Sequence, residues 1–394
     1  MNNGATLPPT GGSPQDILRH VDEQVAQGNY ESAIATLQQA AKDNGDHPEL
    51  AQRLVQLRVD WAEMNVEELQ LEPMYEANEL LGDPAAIQAR LDQDGYLFFR
   101  GVIDPDLLLG LRDQLTRILA DEGWIEDGPR RMEARAITRP RREGQPKFFA
   151  AHDRIMKLEC LHSLAHNSQL MDVMRQALGD SVFPHPLCIT RLIFPDTREL
   201  STPPHQDFPN NQGTPKLTAA WIPLGDCSIE DGSLAVKEGS HKFGVLPLDF
   251  HLGAGNRQAV LSEEVKACRW VAADFKLGDI LLFPSLTVHR ALDNKNVDKM
   301  RLSVDFRYQL EGEALTPIVL EPHFQRLSWK QIYKGWKSKE FQYYWKKKKY
   351  VEVPFDPKLH ELADDDVFEA YIQELQYNVA LTRRQEARSA QSGK

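Results

Sequence analysis

Residues 301–309 read RLSVDFRYQ, and the alternation is strict: Arg301, Ser303, Asp305 and Arg307 point one way, Leu302, Val304, Phe306 and Tyr308 the other. A period of two over this length is a strand. One charged face and one apolar face place it between a hydrated pocket and a packed layer of helices. Other short runs follow the same grammar: CITRLIF (188–194), KLTAAWIPL (216–224), SLAVK (233–237) and GDILLF (278–283), bounded by Gly, Pro and Asp turns. Short strands punctuated in this way predict an antiparallel barrel or jelly roll. The expected fold class is therefore mainly β with flanking helices.

Upstream of the strands the pattern is helical. DGYLFFRGV (94–102) supplies one compact strand from Tyr96 to Arg100, preceded by a short helix from Pro84 to Leu91. Asp104-Pro105 then caps a helix carrying Leu107, Leu108, Leu111, Leu115 and Leu119. Residues 1–13 read as a flexible polar leader. Residues 14–80 read as a helical extension: Gly28-Asn29 is a break, Tyr30, Ala33, Ile34 and Leu37 follow at helical spacing, and Pro48 opens the next helix. This resembles one tetratricopeptide-like helix pair, and a single pair needs neighbours to bury its faces. Residues 311–394 form an aromatic and basic extension expected to pack on the core. Trp329, Tyr333 and Trp336 are spaced as one helical face, with Lys346 to Lys349 on the solvated side.

Bulk properties exclude several classes. The 394 residues carry a net charge of −12, which argues against a nucleic-acid surface. No apolar run is long enough to span a bilayer, and the first residues lack the charged-then-apolar shape of a signal peptide. Cys160, Cys188, Cys227 and Cys268 form no CxxC pair, which suits reduced thiols and a cytoplasmic location.

The chemistry lies in STPPHQDFP (201–209) and LGDILLFPSLTVHR (277–290). The chain holds three His-x-acid triplets, at His20, His47 and His205, where chance alone gives about two, so the bare pattern is weak. Context selects His205 and Asp207: His20 and Asp22 lie on a helical pattern that turns them apart, and His47-Pro-Glu49 straddles a helix start. The stretch 201–209 is bounded by prolines, and in an extended backbone side chains two apart face the same way. With His289, at the end of an apolar strand, the set becomes two imidazoles and one carboxylate, the donors iron(II) needs to keep coordination positions open. His241 and His185 are the rival third ligands. Arg301, on the strand that follows His289, offers a bidentate grip for the far carboxylate of a dicarboxylate such as 2-oxoglutarate, with Ser303 two residues on. The competing readings are an Arg301–Asp305 ion pair and Arg307 as the anchor.

These residues carry a resemblance. HQD, then LTAAWIPLGDCSIEDGSLAVKEGSHKFG (217–244), then GDILLFPSLTVHRALDN (278–294) with MRLS resemble the phytanoyl-CoA dioxygenase family of iron(II)/2-oxoglutarate oxygenases over about residues 84–310. The family implies a double-stranded β-helix with metal on His205, Asp207 and His289 and the oxoglutarate distal carboxylate on Arg301. Gln206 and Trp221 match positions that line the cosubstrate pocket. Two departures stand out: Ala291 replaces a frequent hydroxyl, and Arg191 is only the nearest match to a basic residue often found on the strand before H-x-D. The carboxylate of Asp207 favours hydroxylation over halogenation. The implied function is a dioxygenase using Fe(II), 2-oxoglutarate and O₂ on a small-molecule metabolite or natural-product intermediate. The basic segment Arg130, Arg131, Arg135, Arg139, Arg141 and Arg142 reads either as a lid over an anionic substrate or as a solvated loop. Neither nucleic acid nor membrane is expected as a partner, and residues 14–80 leave room for a protein partner. The alternative is a non-catalytic helical-repeat and barrel scaffold.

Overall fold

The computed structural model describes residues 12–44, 47–65, 69–196, 200–362 and 366–392. The expected leader at 1–13 lies almost wholly outside them. The chain forms two compact units: residues 1–69 with 250–252 and 364–394, and residues 70–249 with 253–363.

The first unit is helical. Pro14–Ala26 begins where Ser13 accepts a hydrogen bond from the Asp16 amide, with Pro14 in the first turn, and Pro48 likewise opens Pro48–Met64. Between them lies Tyr30–Asp43. The neighbour this set requires comes from the far end of the chain. In the helix Asp366–Ser392, Ile372 is buried with Val21, Leu37, Leu50 and Leu54. Arg58 on the third helix holds Glu369 at 2.6 Å. The structure thus divides the stretch 311–394 expected to pack on the core, since its final helix belongs to the helical unit. It also moves the domain boundary from 80 to 69, because Leu71–Pro73 pairs with the strand Trp270–Ala272.

Among the described residues the second unit carries two main sheets, besides short two-stranded pairings such as Ala314–Leu315 with Val351–Glu352. The larger runs, in spatial order, Leu97–Phe99, Ile280–Pro284, Thr218–Pro223, Arg301–Leu310 and Val182–Ile193, with every neighbour antiparallel. The smaller runs Leu71–Pro73, Trp270–Ala272, Leu234–Lys237 and His289–Ala291. The alternation of Arg301–Leu310 is realised. Leu302, Val304, Phe306 and Tyr308 pack with Leu111, Leu115, Leu170 and Met174 of the covering helices. Trp221, Phe98, Phe275, Leu281 and Val236 form a second core with residues of both sheets. The inward charged face of the long strand is what builds the site.

The segment after 310 differs in detail from its sequence pattern. Its helix is one turn, Trp329–Ile332, so Trp336 reaches the aromatic cluster from beyond the helix end rather than along one stripe. Trp336 donates its indole N–H to the Lys157 carbonyl at 3.0 Å, and the Tyr344 hydroxyl donates to the Pro184 carbonyl at 2.9 Å. Arg130, Arg131 and Arg135 of the basic segment pair with Glu126, Asp113 and Glu133. All four cysteines are free thiols. Among the described residues no helix is long and apolar enough to cross a membrane.

Candidate metal centre and cosubstrate pocket

His205 and His289 face each other across a two-residue antiparallel bridge. The His205 amide donates to the His289 carbonyl at 2.9 Å, and the reverse bond is 3.0 Å. This bridge brings a loop residue and a strand residue into register and sets their rings 4.1 Å apart. Each imidazole directs Nδ1 at a backbone carbonyl, His205 at Pro203 (2.8 Å) and His289 at Thr287 (3.0 Å). A carbonyl only accepts, so Nδ1 carries the proton in both rings and both Nε2 lone pairs are left for a metal. Burial pushes His205 down to about 3 and lowers His289 as well, which keeps both rings neutral.

Asp207 arrives differently from the extended geometry expected of it. Its backbone is helical (φ −72°, ψ −27°), at the start of the one-turn helix Phe208–Asn211, and its side chain caps nothing. The carboxylate is instead held by Arg307, whose Nε and Nη2 donate to Oδ2 and Oδ1 at 3.0 and 2.9 Å. The remaining arm of Arg307, Nη1, reaches Asp305 at 2.6 Å. Burial alone would raise the Asp207 carboxyl. The Arg307 guanidinium, through its charge and its two hydrogen bonds, overcomes it and holds the group well below the usual carboxylate range. The ligand atoms of His205, Asp207 and His289 lie within 4.8 Å of one another, and among the described residues no other such group forms. His241 is elsewhere, bonded to the Asp92 carbonyl and packed on Gly95, where no Cβ would fit. His185 bonds Gln309.

Arg307 therefore is not free to anchor a ligand, and the Arg301–Asp305 ion pair does not form. Arg301, 4% exposed, bonds only neutral oxygens: Nε to the Gly232 carbonyl at 3.1 Å and Nη1 to the Ser303 hydroxyl at 2.6 Å. Trp221 donates its indole N–H to the same hydroxyl at 3.1 Å. Burial pulls Arg301 down to about 10. Among the described residues no carboxylate lies within ion-pair distance of it, so a buried cation stands ready for an anion. Arg301, Trp221, His205 and His289 line one cavity with Arg191, Thr202, Leu234, Phe283, Ala291, Asp305 and Arg307.

Two expectations shift. Gln206 does not line this cavity. Between two residues whose side chains meet at the candidate metal site, it points the other way, and its amide is used by Gly244, Leu286 and Leu246. Ser303 braces Arg301 and Trp221 rather than facing the cavity itself. Conversely, sequence reasoning did not see that Arg307 holds Asp207. The available signal was the alternation that placed Arg307 and Asp305 on the same inward face.

Residues 91–302 match the family model for phytanoyl-CoA dioxygenase. Among curated proteins, the chain is 29% identical over 60% of its length, and 87% of the relative's, to a 1-deoxypentalenic acid 11-beta-hydroxylase from Streptomyces arenae. It is 26% identical to an ectoine dioxygenase from Nocardia farcinica, over 52% of this chain and 70% of the other. A solved structure of a non-haem alpha-ketoglutarate-dependent epimerase from nogalamycin biosynthesis aligns at 20% identity and a TM-score of 0.43, over 59% of this chain and 85% of the other. With the family model covering more than half of it, the chain belongs to the phytanoyl-CoA dioxygenase family.

Proposed function

We propose that this protein is an Fe(II)- and 2-oxoglutarate-dependent dioxygenase that hydroxylates a small-molecule metabolite or natural-product intermediate, with His205, Asp207 and His289 as metal ligands. The observation that carries the assignment is the pairing of that ligand set with Arg301, a buried guanidinium that lacks an anion and lies in the same cavity. The residues fit the group they would hold. Two neutral imidazoles present Nε2, a carboxylate is kept ionised by Arg307, and a planar cation suits the distal carboxylate of 2-oxoglutarate.

When bound, the metal with 2-oxoglutarate and O₂ supplies the oxidant that removes hydrogen from carbon. The chain does the rest. Pro203 and Thr287 fix the imidazole tautomers, Arg307 and Asp305 orient the ligand carboxylate, and Arg301 with Ser303 and Trp221 orients the cosubstrate. Phe283, Leu234 and Ala291 give the cavity apolar wall. Asp207 as third ligand leaves no room for a halide at that position, so hydroxylation is favoured over halogenation. The names of the curated relatives, a hydroxylase and a dioxygenase of small molecules, support the same substrate size.

The test is anaerobic iron titration followed by a metabolite-pool screen for 2-oxoglutarate-dependent succinate release. About one iron per chain and oxidation of a consumed small molecule are expected, both lost in His205→Ala. Iron affinity unchanged in both His205→Ala and His289→Ala would remove the assignment.

A further inference from the structure

A second cavity, of about 440 Å³, opens between the helix Pro105–Asp121 and the loops that follow Thr218–Pro223 and lead into Ile280–Pro284 and Arg301–Leu310. None of its lining residues belongs to the metal cavity. Its volume is within the range of about 300–1,000 Å³ usual for small-molecule pockets. The side chain that sets its character is Arg112, 7% exposed. Arg112 Nε donates to the Met132 carbonyl and Nη1 to the Leu224 carbonyl, both at 2.8 Å. Gly225 lets the group lie against the backbone, since a Cβ there would stand 2.9 Å from Nη1. A guanidinium offers five N–H donors, and these two bonds leave Nη2 unused. Among the described residues Nη2 meets no acceptor, yet it is not sealed inside the protein, so it opens on the cavity.

The other charges around the cavity are matched. Arg135 holds Glu133 at 2.7 Å and Asp298 at 2.6 Å, Lys299 holds Asp231 at 3.3 Å, and Lys276 holds Asp226 at 2.9 Å. Arg112 differs. Among the described residues no carboxylate lies within ion-pair distance of it, and burial lowers its pKa with no nearby charge opposing the shift. A buried cation held only by neutral carbonyls has lost hydration that an anion would offset. Nη2 presents that anion with a charge-assisted donor, and Leu109, Met132 and Leu277 give the cavity an apolar wall.

We propose that this cavity binds a small-molecule oxyanion, a carboxylate or phosphate ester on an apolar body, through Arg112, at a site separate from the metal centre. The site stands independently of the dioxygenase reading.

Phenylacetate, phenyl phosphate and the neutral phenylacetamide share one apolar body and are titrated calorimetrically into the full chain. At least one of the two anions is expected to bind tenfold or more tighter than the amide, and which of them does so identifies the oxyanion. Leu109 precedes Arg112 by three residues on the same helix face, so Leu109→Glu supplies the missing carboxylate from within the protein. That variant and Arg112→Gln should both lose the preference for the anion, whereas Leu109→Gln and Arg301→Met should keep it. Should Arg112→Gln fail to fold, Leu109→Glu, altered only at the half-exposed rim, decides alone. The proposal is overturned if neither anion outbinds the amide, if a folded Arg112→Gln retains the preference, or if Leu109→Glu binds the anion as tightly as Leu109→Gln does. It is overturned too if the preference disappears in Arg301→Met, because the anion then sits in the metal cavity.

Discussion

Arg301 and Arg307 stand six residues apart on one strand, both buried, and replacing each by methionine should have opposite effects on stability. Arg301 is shifted from 12.5 to about 10 because it is desolvated without a carboxylate. That shift corresponds to about 3 kcal/mol of standing destabilisation. Arg301→Met removes it and loses two hydrogen bonds to neutral oxygens, worth about 1 kcal/mol each. The net change should be near zero or stabilising by about 1 kcal/mol. Arg307→Met instead leaves Asp207 and Asp305 buried with no cation, and breaking such a pair costs about 3–5 kcal/mol. Urea unfolding of the metal-free protein, followed by tryptophan fluorescence, separates the two. Six of the seven tryptophans lie in the second unit, so the signal reports on the site's own domain. With iron present, Arg301→Met should still weaken 2-oxoglutarate by about 30-fold or more, the equivalent of about 2 kcal/mol. If Arg301→Met lowers stability as much as Arg307→Met does, Arg301 is a structural residue and the description of it as a cation awaiting a ligand is wrong.

Other outcomes follow from the same geometry. Gln206→Leu should lower stability by about 1–3 kcal/mol, since two carbonyls and one amide lose their partner, while the 2-oxoglutarate KM holds steady; a large KM change would place Gln206 in the pocket after all. Gly232 has φ +82°, and a Cβ there would lie 2.8 Å from the Leu292 carbonyl. Because its own carbonyl receives Arg301 Nε, Gly232→Ala should reduce both the urea midpoint and 2-oxoglutarate affinity, and a normal affinity in the folded variant would dissociate the two. Burial holds His162 and His185 at about 4, below their unfolded value of 6.5. The unfolded chain therefore takes up protons first, and stability is lost as pH falls from about 6.5 towards 4, by about 2 kcal/mol per histidine at pH 5. A urea midpoint that is flat between pH 7 and 5 would contradict that.

What could be read from the sequence was whatever local periodicity encodes. Arg301–Gln309 announced both its faces, and the grouping of His205, Asp207 and His289, whose ligand atoms the structure brings within 4.8 Å of one another, was separable from His241 and His185 by context, since those two are bonded elsewhere. What could not be read depends on partners far apart in the chain. Arg307 looked like a competitor for the cosubstrate because nothing local says that its fork closes on Asp207, one hundred residues earlier. Gln206 was assigned by position in a motif, and the motif does not record which way a side chain turns. The division of residues 311–394 was hidden for a related reason. The apolar face of Asp366–Ser392 is visible in sequence, but its choice of helices more than three hundred residues upstream is a matter of tertiary competition.

That last pairing has a consequence in time. On a ribosome adding about 5–20 residues per second, the first three helices are complete about 15–60 s before Asp366–Ser392 is made. During that interval the side chains that will enclose Ile372, Leu50 and Leu54 among them, have no permanent cover. The oxygenase unit, whose segments are all synthesised within the interval, can fold while the helical unit waits. The order of maturation is therefore the reverse of the order of synthesis: the middle of the chain settles first, and its two ends close last.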